Sequence, residues 1–180
     1  RRWRLQRRRC YGTVVSIMNF ARLTRHIFMP RHSLRRAFDE AALNAIEQAI
    51  TDTEKTHGGE VRIALEASLD PAELFSDITP RQRALQAFSH LGVWDTELNN
   101  GVLIYVLWAD RDVEIVADRG FNGRISGQEW TDVCHRMEQL FSQGSAASAL
   151  VAGIQAAGAL ISRHFPATDR NELPDRPTLL

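Results

Sequence analysis

The strongest constraint on the fold is a pair of strand-like runs separated by a short loop. Residues 102–108 (VLIYVLW) are all apolar, as expected of a central strand covered on both faces. After four further residues, Val113, Ile115 and Ala117 occupy every second position of a second run. Because so short a connection permits only antiparallel pairing, the two runs predict a β-hairpin.

An earlier strand and several helices complete the pattern of an α/β domain. Residues 60–66 (EVRIALE) alternate apolar and polar side chains, which predicts a strand with one solvent-facing side. Between this strand and the apolar run, Thr79-Pro80 and Gln82 form a helix-start signal, so a helix is expected to connect the two strands. Its predicted apolar face consists of Ala84, Leu85, Phe88 and Leu91. A helical crossover makes its flanking strands parallel. Further helices are predicted at 39–57, 126–144 and 145–165. The sequence therefore predicts a small mixed β-sheet with helices on both faces.

Charge is strongly separated along the chain. Residues 1–36 contain 11 of the 22 basic side chains and no acidic one. Residues 37–180 carry 11 basic side chains against 22 acidic ones, a net charge of −11. An acidic body repels nucleic acid and attracts cations, whereas the basic segment could bind phosphate or a membrane surface peripherally.

This separation indicates three parts. We expect a basic N-terminal tail at 1–36, an α/β domain at 37–166 and a proline-rich C-terminal extension at 167–180. Residues 1–17 are expected to be disordered or to precede the true start at Met18, with a targeting segment as the alternative.

Several classes of protein are not indicated. No apolar stretch is long enough for a transmembrane helix. Cys10 and Cys134 are isolated, which argues against a disulfide framework or a zinc site. The chain contains no HExxH, GxSxG, phosphate-loop or dinucleotide-binding motif. The expected location is cytoplasmic, with a membrane-peripheral or envelope location as the alternative.

The predicted topology brings polar residues to one end of the sheet. If the first strand and the apolar strand are parallel, Glu60 and Gly101 lie at the same end. The last hairpin strand runs the opposite way, so Asp118 returns to that end. The loop at 94–101 arrives there too.

These residues suggest a cation site. Carboxylate and amide oxygens suit Ca²⁺ or Mg²⁺, and closely spaced acids can act as general acids or bases. Asp118 is the candidate catalytic residue. The candidate metal ligands are Glu60, Asp95, Asn99, Asn100 and Asp118. The alternative is that these residues form turns and a solvated surface. At the opposite end, residues 110–112 are expected to form a solvated turn.

Two sequence blocks resemble the core of the TPM domain family. They are residues 99–105 (NNGVLIY) and residues 111–120 (RDVEIVADRG), within a similarity that extends over roughly 39–165. Residues 171–177 are typical of a short bacterial branch. The resemblance implies a Rossmann-like α/β/α sandwich, and family members have been described as acid phosphatases and as calcium binders. The positions that match the family blocks are Asn99, Asn100, Gly101, Asp118 and Gly120.

Two functions follow from these observations. The first is a module that binds a partner protein or a membrane complex and carries a divalent-cation site such as a structural calcium, with the basic tail and the proline-rich end as docking elements. The alternative is a metal-assisted acid phosphatase, in which a cation polarises the phosphate and a carboxylate activates water. No catalytic constellation is complete in the sequence, so the binding module is favoured.

Overall fold

The computed structural model describes residues 20–144, 146–167 and 171–180, so the prediction for residues 1–17 lies outside the described part. The helices are α1 (Phe20–Ile27), α2 (Arg31–Ala37), α3 (Glu40–Glu54), α4 (Pro71–Phe75), α5 (Pro80–His90), α6 (Gly127–Gln143) and α7 (Ala146–Ile161). The strands are β1 (Glu60–Glu66), β2 (Gly101–Leu107), β3 (Asp112–Ala117) and β4 (Thr178–Leu179), and a 3-10 turn spans Arg119–Phe121. Among the described residues, no helix has both the length and the apolar character needed to cross a membrane.

The four strands form one mixed sheet in the order β3-β2-β1-β4. β1 and β2 are parallel, with Glu60 opposite Gly101, and β2 and β3 are antiparallel, so both predictions are confirmed. β4 pairs with β1 in parallel, with Thr178 opposite Ala64. The C-terminal strap (residues 171–180) therefore covers the edge of β1 that β2 leaves free, whereas β3 has a single neighbouring strand.

Helices cover both faces of the sheet, which confirms the predicted α/β sandwich. On one face, α3, α6 and α7 pack against the sheet with side chains such as Ile50, Met137 and Ile154. On the other face, α4 and α5 pack with small or medium-sized side chains such as Leu74 and Ala84. Burial of these apolar surfaces is the main force that stabilises the sandwich.

The predicted helix starts are confirmed, but one predicted helix face is wrong. Thr79 and Ser126 each form a capping box, a type of contact that stabilises a helix by about 1 kcal/mol. Leu85 of α5 was expected on the apolar face but is 47% exposed. Ala84 and Ala87 are the buried residues of that helix, because small side chains let it approach β2 and β3 closely.

The turn between β2 and β3 also differs from the prediction of a solvated turn. The side chain of Asp110 is only 8% exposed, and its Oδ2 lies 2.8 Å from Arg22 Nε. Its Oδ1 lies 3.1 Å from His26 Nε2 and 3.3 Å from Arg25 Nη2. Burial acts to raise the pKa of Asp110, but the contacts with His26 and Arg22 outweigh it and hold the pKa below its ordinary value. The prediction was wrong because these partners lie more than 80 residues earlier in the chain.

Candidate functional site

The predicted residues do lie at one end of the sheet. Glu60 and Gly101 are aligned in the parallel register, and the Glu60 N–H donates to the carbonyl of Asn100 at 3.1 Å. The Asp118 N–H donates to the carbonyl of Gly101 at 2.9 Å. The end of β3 therefore meets the starts of β1 and β2, as the topology predicts.

The two sequence blocks at this end pack directly against each other. The Gly120 N–H donates to the carbonyl of Asn99 at 2.9 Å, and Arg119 Nε donates to Asn99 Oδ1 at 2.7 Å. A Cβ atom on Gly120 would overlap the carbonyl oxygens of Asn99 and Leu98, so only glycine fits there. Asn99 has φ +53°, a conformation that asparagine tolerates better than most residues. These contacts support the turn-forming interpretation of Asn99 and Gly120.

Glu60 holds the C-terminal strap. Its Oε2 accepts hydrogen bonds from the backbone N–H groups of Glu172 at 3.0 Å and Leu173 at 3.1 Å. Burial raises the pKa of the Glu60 carboxyl above its ordinary value, although these two hydrogen bonds oppose the rise. Glu60 Oε2 is therefore occupied by the strap.

Asn100 and Asp95 have different surroundings. Asn100 is buried, its Nδ2 donates to the carbonyl of Gly58, and its N–H donates to Thr96 Oγ1 at 3.1 Å. Within the described residues, Asn100 Oδ1 is a buried oxygen without a hydrogen-bond donor. Asp95 is exposed in the loop before Asn99. The structure therefore places these two side chains at the predicted end in unlike environments, one enclosed and one solvated.

Asp118 has one free oxygen. Its Oδ1 accepts from the Arg119 N–H at 2.7 Å, which caps the 3-10 turn. Its Oδ2 is enclosed and has no hydrogen-bond partner among the described residues. Burying a carboxylate oxygen without a partner costs free energy, because the oxygen loses its hydrogen bonds to water. This atom is therefore the strongest indication that the sheet end binds a ligand with a hydrogen-bond donor or a positive charge.

The predicted metal ligands do not form one acidic group. The described part of the chain contains no group of three or more His, Cys, Asp or Glu side chains placed to hold a metal ion. Glu60, Asp95 and Asp118 are therefore not a three-carboxylate site, and Asn99 Oδ1 already accepts from Arg119. A cation at this end would therefore depend on Asp118 Oδ2 together with amide, backbone or water oxygens. Cation binding stays a prediction.

A cleft of about 380 Å³ lies beside β3 and begins at Asp118. Phe121, Ile125 and Trp130 line its apolar part, with Phe121 and Trp130 in edge-to-face contact at 5.8 Å between ring centroids. Asp118 and Glu114 contribute carboxylates to its lining. The cleft thus combines an apolar surface with acidic groups, a composition that suits specific binding.

Arg81 and Cys134 also line this cleft. Arg81 Nη1 donates to the carbonyl of Ile115 at 2.5 Å and lies 3.5 Å from Glu114 Oε2. Burial, together with the charge of Glu114, raises the pKa of Cys134 to about 12. The thiol therefore stays protonated at neutral pH and cannot serve as a thiolate nucleophile.

The residues of the cleft other than Asp118 were not predicted. Arg81 begins α5 and Trp130 belongs to the first turns of α6, so only the folded sheet brings them beside β3. One signal was available, because Glu114 interrupts the apolar residues of a strand that the hairpin places at the sheet edge. An acidic residue at such a position becomes buried when helices pack over it, and Glu114 is 7% exposed.

Comparisons with known proteins identify relatives of this domain. The TPM domain family matches residues 34–160. No curated protein gives a significant match. The NMR structure of the BA42 protein from the psychrophilic bacterium Bizionia argentinensis is 34% identical, with a TM-score of 0.69, and the match covers 78% of this chain and 93% of that one.

Two further NMR structures share the fold at lower identity. The N-terminal domain of a Corynebacterium glutamicum protein is 16% identical with a TM-score of 0.52, covering 74% of this chain and 80% of that one. The N-terminal domain of a P. gingivalis protein is 19% identical with a TM-score of 0.55, covering 74% and 82%. At these identities the likeness concerns the fold alone.

Proposed function

The chain belongs to the TPM domain family, and from this premise we propose that it is a protein-binding module. Its ligand is an extended segment of a partner protein that carries an arginine or lysine side chain. The segment binds in the cleft beside β3. The observation that carries this proposal is the enclosed Asp118 Oδ2, which lacks a hydrogen-bond donor among the described residues and lies where the cleft meets the end of β3.

The free edge of β3 supplies backbone recognition. The Asp118 N–H points toward β2, and in an antiparallel ladder the residues that face the neighbouring strand alternate. The backbone groups of Val113, Ile115 and Ala117 are therefore directed away from β2. Arg81 occupies the carbonyl of Ile115 and the Cys134 thiol contacts its N–H, which leaves the Ala117 end as the entry point for an added strand. Addition of an extended peptide to a sheet edge is a common mode of partner binding.

The side chains around the cleft supply selectivity. Phe121, Ile125 and Trp130 offer an apolar surface for alternate side chains of an extended segment. Asp118 and the net charge of −11 over residues 37–180 favour a positively charged group and slow the approach of acidic segments. A basic side chain that reaches Asp118 Oδ2 would form a charge-assisted hydrogen bond, which is stronger than a neutral one.

The test starts from a displayed library of random peptides. We expect enriched sequences to alternate apolar residues and to contain one arginine or lysine. Affinity is then measured by fluorescence anisotropy for the wild type, Asp118→Asn and Ala117→Pro. Each variant should bind roughly tenfold more weakly. Asp118→Asn loses the negative charge, and Ala117→Pro loses the N–H that is directed away from β2. Proline is tolerated at such a sheet-edge position, so the fold should be kept.

The matched control is Asp132→Asn, which removes an exposed carboxylate of α6 outside the cleft lining. It should bind the peptide like the wild type. Far-UV circular dichroism checks that all variants are folded. An enriched peptide that binds Asp118→Asn and Ala117→Pro with wild-type affinity would refute the proposed site.

Metal-assisted phosphomonoester hydrolysis is the second candidate, and the same unpartnered oxygen of Asp118 favours it. A titration with Ca²⁺ and Mg²⁺, followed by thermal unfolding, tests cation binding. A ligand present at about 100 times its Kd should add roughly 2.7 kcal/mol of stability. If that shift is absent in Asp118→Asn and a chromogenic phosphomonoester is hydrolysed by the wild type alone, this candidate is supported. No shift with either ion removes it.

A further inference from the structure

We propose that α1 and the residue after it form a surface that binds an anionic lipid membrane. The surface consists of the exposed apolar side chains Phe20, Ile27 and Phe28 with Arg25 of α1 and Arg35 and Arg36 of α2. It lies at the hairpin-turn end of the sheet, opposite the end that holds Asp118, and it is independent of the proposed peptide cleft.

The apolar side chains of this surface are unusually exposed. Among the described residues, the four most exposed large apolar side chains are Phe28 (79%), Phe20 (71%), Phe75 (64%) and Ile27 (56%). Phe75 belongs to α4, which packs beside α1. Phe20 and Ile27 are seven residues apart, so they project from the same side of the helix. Large apolar side chains exposed on one short segment are of the kind that marks an interaction site.

The chain segment that carries α1 and α2 is entirely basic. Residues 20–38 contain Arg22, Arg25, Arg31, Arg35 and Arg36 and no Asp or Glu. The side chain of Arg25 is 40% exposed, and Arg35 and Arg36 are exposed in α2. A helix with exposed Phe and Ile beside arginines is typical of segments that lie in the interface of anionic bilayers.

The opposite side of α1 is fixed to the domain by polar contacts. His26 Nδ1 accepts from the Leu69 N–H at 2.9 Å, and Arg22 Nη2 donates to the carbonyl of Ile78 at 2.8 Å. Arg22 also pairs with Asp110. These contacts use the inward side of α1, so its apolar side chains stay directed outward instead of joining the core.

The remainder of the domain would orient the protein on such a membrane. Residues 37–180 carry a net charge of −11 and are repelled by anionic headgroups, whereas residues 20–36 are attracted to them. Double-stranded nucleic acid would use the arginines but not the exposed phenylalanines. A partner with an anionic surface and an apolar layer beneath it satisfies both features of the patch.

The test is co-sedimentation of the full chain with two kinds of vesicle. One contains phosphatidylcholine alone and the other contains about one quarter phosphatidylglycerol. We expect binding to the anionic vesicles and loss of that binding at high salt. The triple variant Phe20→Ser, Ile27→Ser, Phe28→Ser should reduce the partition coefficient roughly tenfold or more, because the helix loses its apolar contact with the bilayer.

The matched control is Leu85→Ser with Leu98→Ser, which removes exposed apolar side chains elsewhere (47% and 48% exposed). This control should bind anionic vesicles like the wild type. Two results would overturn the proposal. One is anionic-vesicle binding by the triple variant equal to that of the wild type, which would assign binding to other basic residues. The other is a wild type that binds neither vesicle but is dimeric where the triple variant is monomeric, which would assign the patch to self-association.

Discussion

A half-buried carboxyl at the end of α3 makes stability depend on pH in a predictable direction. Glu54 Oε1 accepts from the Val61 N–H at 2.7 Å, where the chain enters β1. Burial is the main cause that raises the pKa of Glu54 from 4.5 to about 8, and the charges of Glu60 and Asp175 add to it. The Val61 hydrogen bond opposes the rise.

The sign follows from the two pKa values. In the unfolded chain Glu54 loses its proton near pH 4.5, whereas in the folded protein it keeps the proton until about pH 8. The folded state therefore binds an extra proton between these values, and its stability falls as pH rises through this window. At about 1.4 kcal/mol per pKa unit the full difference is about 5 kcal/mol, and solvent contact of this half-buried group reduces it to about 2–3 kcal/mol.

The perturbation is Glu54→Gln, which keeps an oxygen for the Val61 N–H but cannot ionise. We expect the variant and the wild type to have similar melting temperatures at about pH 5. At about pH 9 the variant should melt roughly 5–10 °C higher, since 1 kcal/mol corresponds to about 2–4 °C in a chain of this length. Thermal unfolding followed by circular dichroism measures both values.

Asp95→Asn is the control, since it removes an exposed carboxyl at the same end of the sheet. Its pH profile should match that of the wild type. Equal pH dependence of Glu54→Gln and the wild type, or a variant that is less stable at high pH, would refute the reasoning.

Three further substitutions test contacts described above. Gly120→Ala should lower the free energy of unfolding by about 2 kcal/mol or more, measured by denaturant unfolding, because its Cβ would overlap Asn99 O. Asp110→Asn should make the α1 amides exchange with deuterium roughly tenfold faster while β2 stays protected, because the helix loses its charged partner. Arg83→Met should lower the free energy of unfolding by about 3–5 kcal/mol, measured by chemical denaturation, because buried Glu66 would lose its bidentate ion pair with Arg83 at 2.8 and 2.9 Å.

The central fold was predictable because its signals are local. The continuous apolar run of β2 and the short connection after it predict a buried strand and a hairpin, and both are confirmed. The capping box at Thr79 predicts the crossover helix and hence the parallel pairing of β1 and β2, which is also confirmed. Each of these inferences depends on residues that lie within a few positions of one another.

The parts that could not be predicted depend on contacts between distant residues. β4 has two residues, too few for a periodic signal, and it becomes a strand only by pairing with β1. Asp110 resembles an ordinary turn residue until Arg22, 88 positions earlier, is placed beside it.

At the candidate site, too, the features set by local sequence were predictable and those set by distant contacts were not. The sequence correctly places Glu60 and Asp118 at one end of the sheet, because strand direction alone decides it. It does not reveal that Glu60 is engaged by the strap, since the contact with the Glu172 N–H spans 112 positions. Asp118 retains an unpartnered oxygen among the described residues, and it is the predicted residue that also lines the cleft.

The most direct test of the protein-binding module is a two-dimensional NMR titration of the ¹⁵N-labelled full chain with the peptide selected from the library. We predict saturable shifts of amide signals in β3 and in the first turns of α6, with the largest change at Ala117 and Asp118. Strap residues 171–180 should shift little. Shifts confined to the strap or to α1, or no saturable shift along β3, would contradict binding at this edge.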